Sequence, residues 1–362
     1  MRLFTLLALV LVSVLPAGAD TEYTFIKADP AKKIVYVNPV WSPVGYSIAY
    51  VAARNSTKVG ANTVWNCPKD LWLATLENGH WKHRLLVKDA NGSAWSKDGK
   101  KLAITRKGLA VLDMRTGKIR QLTRDYDPSV TGQYEAKVRL DFPISFSPNG
   151  RYLAYERELY ESSEYRVFDL MKGKDTGLLL GKSPTWSADS KYVLSAFNWY
   201  GDWPVKTRLV RTNIETRKTE TLLAHYRIDW LASPSAEYAW ALVSDPQPPD
   251  PPDSMGYPKD ELEPPDGPGI YRLDLPSLKL TKLSNIKEPV ILNRDLGRFA
   301  FITESRPADL YIGETRHWQF RIVAKEVAES WLMRTIFASW SPDGKSLAYV
   351  TAGGDIQIVK FP

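Results

Sequence analysis

Trp340-Ser341-Pro342-Asp343-Gly344-Lys345-Ser346-Leu347-Ala348-Tyr349 decides the fold of this chain, because the same ten-residue phrase recurs along its 362 residues. Close copies begin at Trp41, Trp95, Phe146 and Trp186. A degenerate copy starts at Ala232, and another near Leu292 keeps little beyond Asp295 and Phe299-Ala300-Phe301. Successive starts lie 54, 51, 40, 46, 60 and 48 residues apart. A period in this range marks a repeat architecture before any local reading is made.

The phrase has a physical meaning. Asp-Gly and Asn-Gly tolerate positive φ and close tight hairpins. The proline ahead of them pre-sets the turn and withholds an N–H from any ladder. The aromatic before Ser ends one strand, and the alternation in Leu-Ala-Tyr starts the next, with a small Ala where sheets press together. A second hairpin follows: Leu109 to Asp113 turns at Arg115-Thr116-Gly117-Lys118 into Ile119 to Leu122, and Ile270 to Asp274 turns at Pro276-Ser277 into Leu280 to Leu283. Asp70 to Thr75, Tyr165 to Leu170, Arg208 to Asn213 and Leu310 to Gly313 fill the same slot. Four short strands per unit of this length read as a propeller blade. The expected fold is all-β, a single β-propeller of four-stranded blades. Lys325 to Arg334 is the one stretch with some helical periodicity, and a loop turn is its other reading.

The W-S-P-D-G-K-x-L-A-Y units resemble the WD40-like (PD40) repeat of TolB-type propellers. The resemblance covers residues 35–362 and is specific for fold and poor for function. The first motif begins about twenty residues after the leader described below, which leaves no room for the separate N-terminal domain that TolB carries, so the likeness is to a TolB-like propeller and not to TolB itself. Counting motifs gives seven blades. The resemblance implies six as the alternative, with the Leu292 unit then an insertion. The last unit ends after one strand beyond Tyr349, Asp355 to Phe361, and so lacks its outermost strand. Glu22 to Lys27 or Ile34 to Val37, rich in β-formers, is expected to supply it and close the ring.

Residues 1–19 have the layout of a secretory signal peptide: Arg2, the apolar Leu3 to Leu15, then Pro16-Ala17-Gly18-Ala19 with cleavage expected before Asp20. The apolar run is shorter than the roughly 20 residues that span a bilayer. The mature chain, 20–362, is therefore expected to be exported, periplasmic or extracellular, with no transmembrane segment. Net charge is +7 for the whole chain, with basic residues scattered singly. That favours solubility and anionic envelope surfaces, and disfavours nucleic acid. The single cysteine, Cys67, reads as a small, partly buried apolar side chain, with a reactive thiol or an intermolecular disulfide as the other reading.

Asp245 to Pro268 interrupts the fifth unit between its second and third strands, with nine of the 25 prolines and a net charge of −6. Such composition favours polyproline II and bars a ladder. It reads as a solvated insertion or as a partner-binding loop. Thr57 to Pro68 and Asp125 to Lys137 are further long connections, and Asn198-Trp199-Tyr200-Gly201-Asp202-Trp203-Pro204 holds an aromatic patch able to stack on a sugar or peptide. Asn55-Ser56-Thr57 and Asn91-Gly92-Ser93 match glycosylation sequons, which a bacterial origin would make meaningless. The four histidines are His80, His83, His225 and His317. His80 and His83 flank Trp81 near an expected hairpin tip, and a solvated turn is a better reading than a two-ligand metal site. Asp260-Glu261 lies in the insertion with nothing to raise a pKa. No nucleophile elbow or phosphate loop occurs. No catalytic, metal or cofactor residue is therefore assigned, and no cofactor is expected. Two function classes remain: an envelope binding or scaffold protein recognising a protein, peptide or polymer at a propeller face, and a propeller lyase or hydrolase with its site at the channel mouth.

Overall fold

A computed structural model describes residues 20–60, 67–124, 140–159, 163–198, 207–233, 235–246, 261–328 and 338–362. These form 28 strands in seven four-stranded antiparallel sheets, each a blade of one ring. Blade 1 holds β2 (Ile34–Trp41), β3 (Ser47–Arg54), β4 (Lys69–Glu77) and β5 (His80–Val87). Blade 2 holds β6 (Asn91–Trp95), β7 (Lys101–Thr105), β8 (Leu109–Asp113) and β9 (Ile119–Gln121). Blade 3 is β10 (Leu140–Phe146), β11 (Tyr152–Glu158), β12 (Ser163–Asp169) and β13 (Lys174–Leu180). In blade 4 come β14 (Lys182–Trp186), β15 (Tyr192–Asn198), β16 (Thr207–Asn213) and β17 (Thr219–Ala224). Blade 5 has β18 (Ile228–Ala232), β19 (Tyr238–Val243), β20 (Gly269–Asp274) and β21 (Leu280–Ser284). Blade 6 has β22 (Ile291–Leu292), β23 (Arg298–Ile302), β24 (Ala308–Glu314) and β25 (Gln319–Val327). Blade 7 joins β26 (Ala338–Trp340), β27 (Ser346–Val350) and β28 (Ile356–Lys360) to β1 (Thr21–Ile26).

Seven is thus the blade number, and the Leu292 unit is a full blade with a two-residue inner strand. Glu22 to Lys27 supplies the missing strand: β1 pairs with β28 in register Thr21↔Lys360 to Ile26↔Ile356. Ile34 to Val37 belongs instead to β2, the inner strand of blade 1. Lys325 to Val327 closes β25 as strand, and 329–334 lie outside the described residues. No helix among the described residues is long and apolar enough to cross a membrane.

The repeated phrase resolves into hydrogen bonds. In blade 2 the Ser96 hydroxyl donates to Asp98 Oδ1 at 2.6 Å, accepts from Lys101 N at 2.9 Å, and Asp98 accepts from Lys100 N at 3.1 Å. Ser147-Asn149-Arg151, Ser187-Asp189-Lys191 and Ser341-Asp343-Lys345 repeat the arrangement. The degenerate copies keep it with other residues. Asn293 Oδ1 accepts from Arg298 N in blade 6, and Ser235 accepts from Glu237 N in blade 5. The aromatic of the phrase staples neighbours: the Trp95, Trp186 and Trp340 indoles donate to the carbonyls of Val40, Ser145 and Ile291, each in the preceding blade. Fully buried Ala49, Ala103, Ala154, Ala300 and Ala348 let adjacent sheets approach.

The topology sorts the connections by end. Antiparallel order puts the W-S-P-D-G turns and the second-hairpin turns at one end of the ring. Links from the second to the third strand, and from one blade to the next, are at the other. Every long connection named from the sequence belongs to the second set. The turn-bearing end is tightly packed: a Cβ on Gly99 (φ 69°) would lie 2.3 Å from Val44 Cγ2, and one on Gly344 (φ 66°) 2.6 Å from Asn293 Nδ2.

Candidate functional site: the loop-bearing end of the ring

Inner strands reach the loop-bearing end through bulges. The ladder register slips between Val37 and Val40, Asn91 and Ala94, Pro143 and Ser145, Lys182 and Thr185, and Ile228 and Trp230. Asn38 (φ 54°), Gly92 (φ 64°) and Ser183 (φ 51°) take the left-handed conformation there, which re-aims the side chains. Buried Asn38 donates to Asn91 Oδ1 at 3.2 Å, and Ser183 Oγ donates to the Asp229 carbonyl at 3.1 Å, so both link neighbouring blades.

Blade 3 carries the strongest charge constellation described at this end. Asp141, at 1% exposure, takes Arg157 Nε on one oxygen at 2.9 Å and Arg157 Nη2 on the other at 3.2 Å. Thr123 Oγ1 donates to the same carboxylate at 2.5 Å, and Thr105 Oγ1 donates to the Asp141 carbonyl. Arg157 also donates to the Tyr155 hydroxyl, which itself donates to Asp175. Asp175 faces Arg166, and Arg166 pairs with Glu164 at 2.7 Å. Burial pushes the Tyr155 phenol far above its ordinary value, and the Asp175 contact adds to this. Burial opposes the Arg157 charge, yet Asp141 outweighs it and raises the guanidinium's pKa. Such a buried, bidentate pair holds a fixed geometry.

Around blades 4 and 5 the far limb of the insertion is seated rather than free. Glu261 accepts from Thr207 Oγ1 at 3.1 Å, and Leu262 N donates to the His225 carbonyl at 2.6 Å. Pro264 is buried. The Tyr271 hydroxyl donates to Gly267 O and accepts from Asp266 N. Asp229 beside it accepts from Ser244 Oγ at 2.6 Å and pairs with Arg227 at 3.1 Å. On blade 6 burial raises the Glu288 carboxyl's pKa, with Glu304 adding to it. On blade 1 burial holds the Lys69 amine down while it donates to the Cys67 carbonyl at 3.0 Å.

Cys67 is free and buried, packed with Val35 and Ala53. His80 and His83 do not form a pair: three residues apart on β5, they point to opposite faces. His83 Nδ1 meets the Tyr50 hydroxyl at 3.0 Å, and partial burial lowers its pKa. His225 stands at the loop-bearing end and His317 in an outer turn of blade 6. Among the described residues no group of three His, Cys, Asp or Glu side chains is placed to hold a metal. Residues 61–66, 125–139, 199–206 and 247–260 lie outside the described residues. They take with them half of Thr57 to Pro68, all of Asp125 to Lys137, the aromatic patch beyond Asn198, and Asp260.

No protein-family model matches this chain, and no curated protein matches it. Solved structures do. An oligogalacturonate lyase in complex with manganese superimposes with a TM-score of 0.62 at 14% identity, over 95% of this chain and 96% of that one. An acylaminoacyl peptidase from Pyrococcus horikoshii gives 0.54 at 13% identity, over 87% of this chain and 49% of that one. TolB from Acinetobacter baumannii gives 0.45 at 13% identity, over 91% and 80%. At these identities the likeness is one of fold.

Proposed function

We propose that this chain is an exported, non-enzymatic binding or scaffold protein of the cell envelope that takes a protein or peptide on the loop-bearing end of its ring. The observation that carries this is the sorting of connections. One end consists of short turns packed against each other, while the long links, the seated limb at 261–268 and the Asp141–Arg157 and Asp229–Arg227 clusters share the other. Binding residues concentrate on loops held by a rigid scaffold. The same end would serve a propeller enzyme, and the chemistry of the lyase and the peptidase is not carried over on fold alone. The repeat is read as TolB-like on its motif.

The test is gentle crosslinking in envelope extract with two variants. One replaces residues 247–260 by a short Gly-Ser linker, and the other carries Val44→Glu at the turn-bearing end. A partner captured by the native chain and the Val44 variant, and lost from the linker variant, supports the reading. Equal capture by both variants, or no partner at all, overturns it.

A further inference from the structure

The turn-bearing end holds the chain's excess charge. Seven turns of the repeated phrase and six second-hairpin turns make up this end, each two to five residues long. Together they carry thirteen Lys and Arg against six Asp and Glu, a net charge of +7. That equals the net charge of the whole chain, so the remainder sums to zero. Four of the six carboxylates are held inside their own turns. A serine hydroxyl and a backbone amide hold Asp98, Asp189 and Asp343, and the Gly297 amide holds Asp295. The cations are exposed, all but the half-buried Arg151, and among the described residues only Lys100 and Arg151 pair with a carboxylate. Apolar side chains stand among these charges. Met171 is 80% exposed at a turn of blade 3, and Val44, Tyr46 and Leu278 are exposed at turns of blades 1 and 5. Leu278 takes φ 56°, four residues after Asp274, where the matching turns of blades 2 and 3 use Gly117 and Gly173. A bulky side chain rarely accepts that conformation, and strain kept at an exposed apolar residue points to a use for it.

We propose that this end docks on an anionic lipid bilayer. Its lysines and arginines meet headgroup phosphates, and Val44, Tyr46, Met171 and Leu278 enter the interfacial layer. Spacing favours a bilayer over a folded acidic partner. The apolar side chains stand apart on blades 1, 3 and 5 with cations between them, whereas a protein interface is built on a contiguous apolar core. Separate side chains bury one by one in a soft surface, where binding grows with buried apolar area plus attraction to anionic lipid. Docked this way, the ring turns its loop-bearing end away from the bilayer, where the protein partner proposed above can reach it. The docking does not depend on that partner.

The test is co-sedimentation with vesicles of phosphatidylcholine alone, or with about one-third phosphatidylglycerol. The protein used starts at Asp20, which keeps all seven blades and omits the apolar run Leu3 to Leu15. Native protein is expected to bind only the mixed vesicles and to release as salt screens exposed charge. Lys97→Gln, Lys118→Gln, Lys172→Gln and Lys218→Gln together are expected to weaken binding by about tenfold or more. The same change at Lys33, Lys88, Lys107 and Lys287, exposed at the loop-bearing end, removes equal charge. It is expected to leave binding within about twofold, because those charges lie beyond the screening length from the bilayer. Met171→Ser with Leu278→Gly keeps every charge and suits the turn, and is expected to weaken binding about fivefold. All these positions are exposed, and a thermal melt verifies that each variant is folded. No binding to the mixed vesicles, or equal losses from the two lysine sets, overturns the proposal. A Met171 and Leu278 variant that binds like native protein also overturns it, since the end then answers to charge alone, as it would for an acidic protein or polymer.

Discussion

At the seam between blades 6 and 7 the Trp340 indole donates to the Ile291 carbonyl at 2.9 Å. Trp41, equally buried in the same motif position, has an indole nitrogen without a partner among the described residues, and packs on Trp81 and Tyr46. Phenylalanine keeps most of each ring contact and removes the N–H. Trp340→Phe removes that interblade hydrogen bond and is expected to cost about 1 kcal/mol more than Trp41→Phe, read from paired urea melts. Equal losses would show that the indole bond is not a staple. The motif was legible at this scale because its Ser and Asp act within one hairpin and its aromatic holds a fixed place beside them. What escaped was pairing that no repeated phrase marks. Asp141 and Arg157 are 16 residues apart on neighbouring strands, and a lone charge in Leu140-Asp141-Phe142 was the one hint. The bulges at Asn38 and Ser183 leave no mark either, since Asn and Ser take a left-handed φ without a sequence signature.

Among elements, the clasp was foreseeable because the last unit is one strand short, but its two candidates differ in a way only pairing shows. β2 builds the inner edge of blade 1, so a deletion reaching residue 38 would destroy a blade, whereas removing 20–28 tests the clasp alone. Phe25→Ala empties an aromatic pocket and should cost about 3 to 5 kcal/mol, while the 20–28 deletion should cost more by exposing the β28 edge. Denaturant melts check both, and an unchanged midpoint for either contradicts the clasp. In blade 3, Asp141→Asn leaves the Arg157 charge buried with half its partner gone. A loss of about 3 kcal/mol is expected, with little change on Glu215→Gln at an exposed pair to Arg151.

For the whole ring, repetition turns a small local effect into a shared acid response. The Ser96 hydroxyl and the Lys100 amide hold Asp98 below the ordinary carboxylate value, and Ser187 with Lys191 does the same for Asp189. At Asp343 burial works the other way, but Ser341, Tyr46 and Lys345 outweigh it and the carboxyl is again lowered. A carboxylate whose folded pKa lies below its unfolded value, about 3.9, binds its proton first in the unfolded chain. Its contribution is therefore complete above the unfolded value and is lost as pH falls through the folded one. All three sit in equivalent turns at one end of a closed ring, so protonation loosens several blades over the same interval. The midpoint of urea unfolding should stay level from neutral pH to about 5 and fall steeply below about 4. The Asp98→Asn, Asp189→Asn, Asp343→Asn triple variant should start lower at neutral pH and flatten that fall, because the amide has no proton to take up. A triple variant that keeps the native slope would place the acid sensitivity elsewhere.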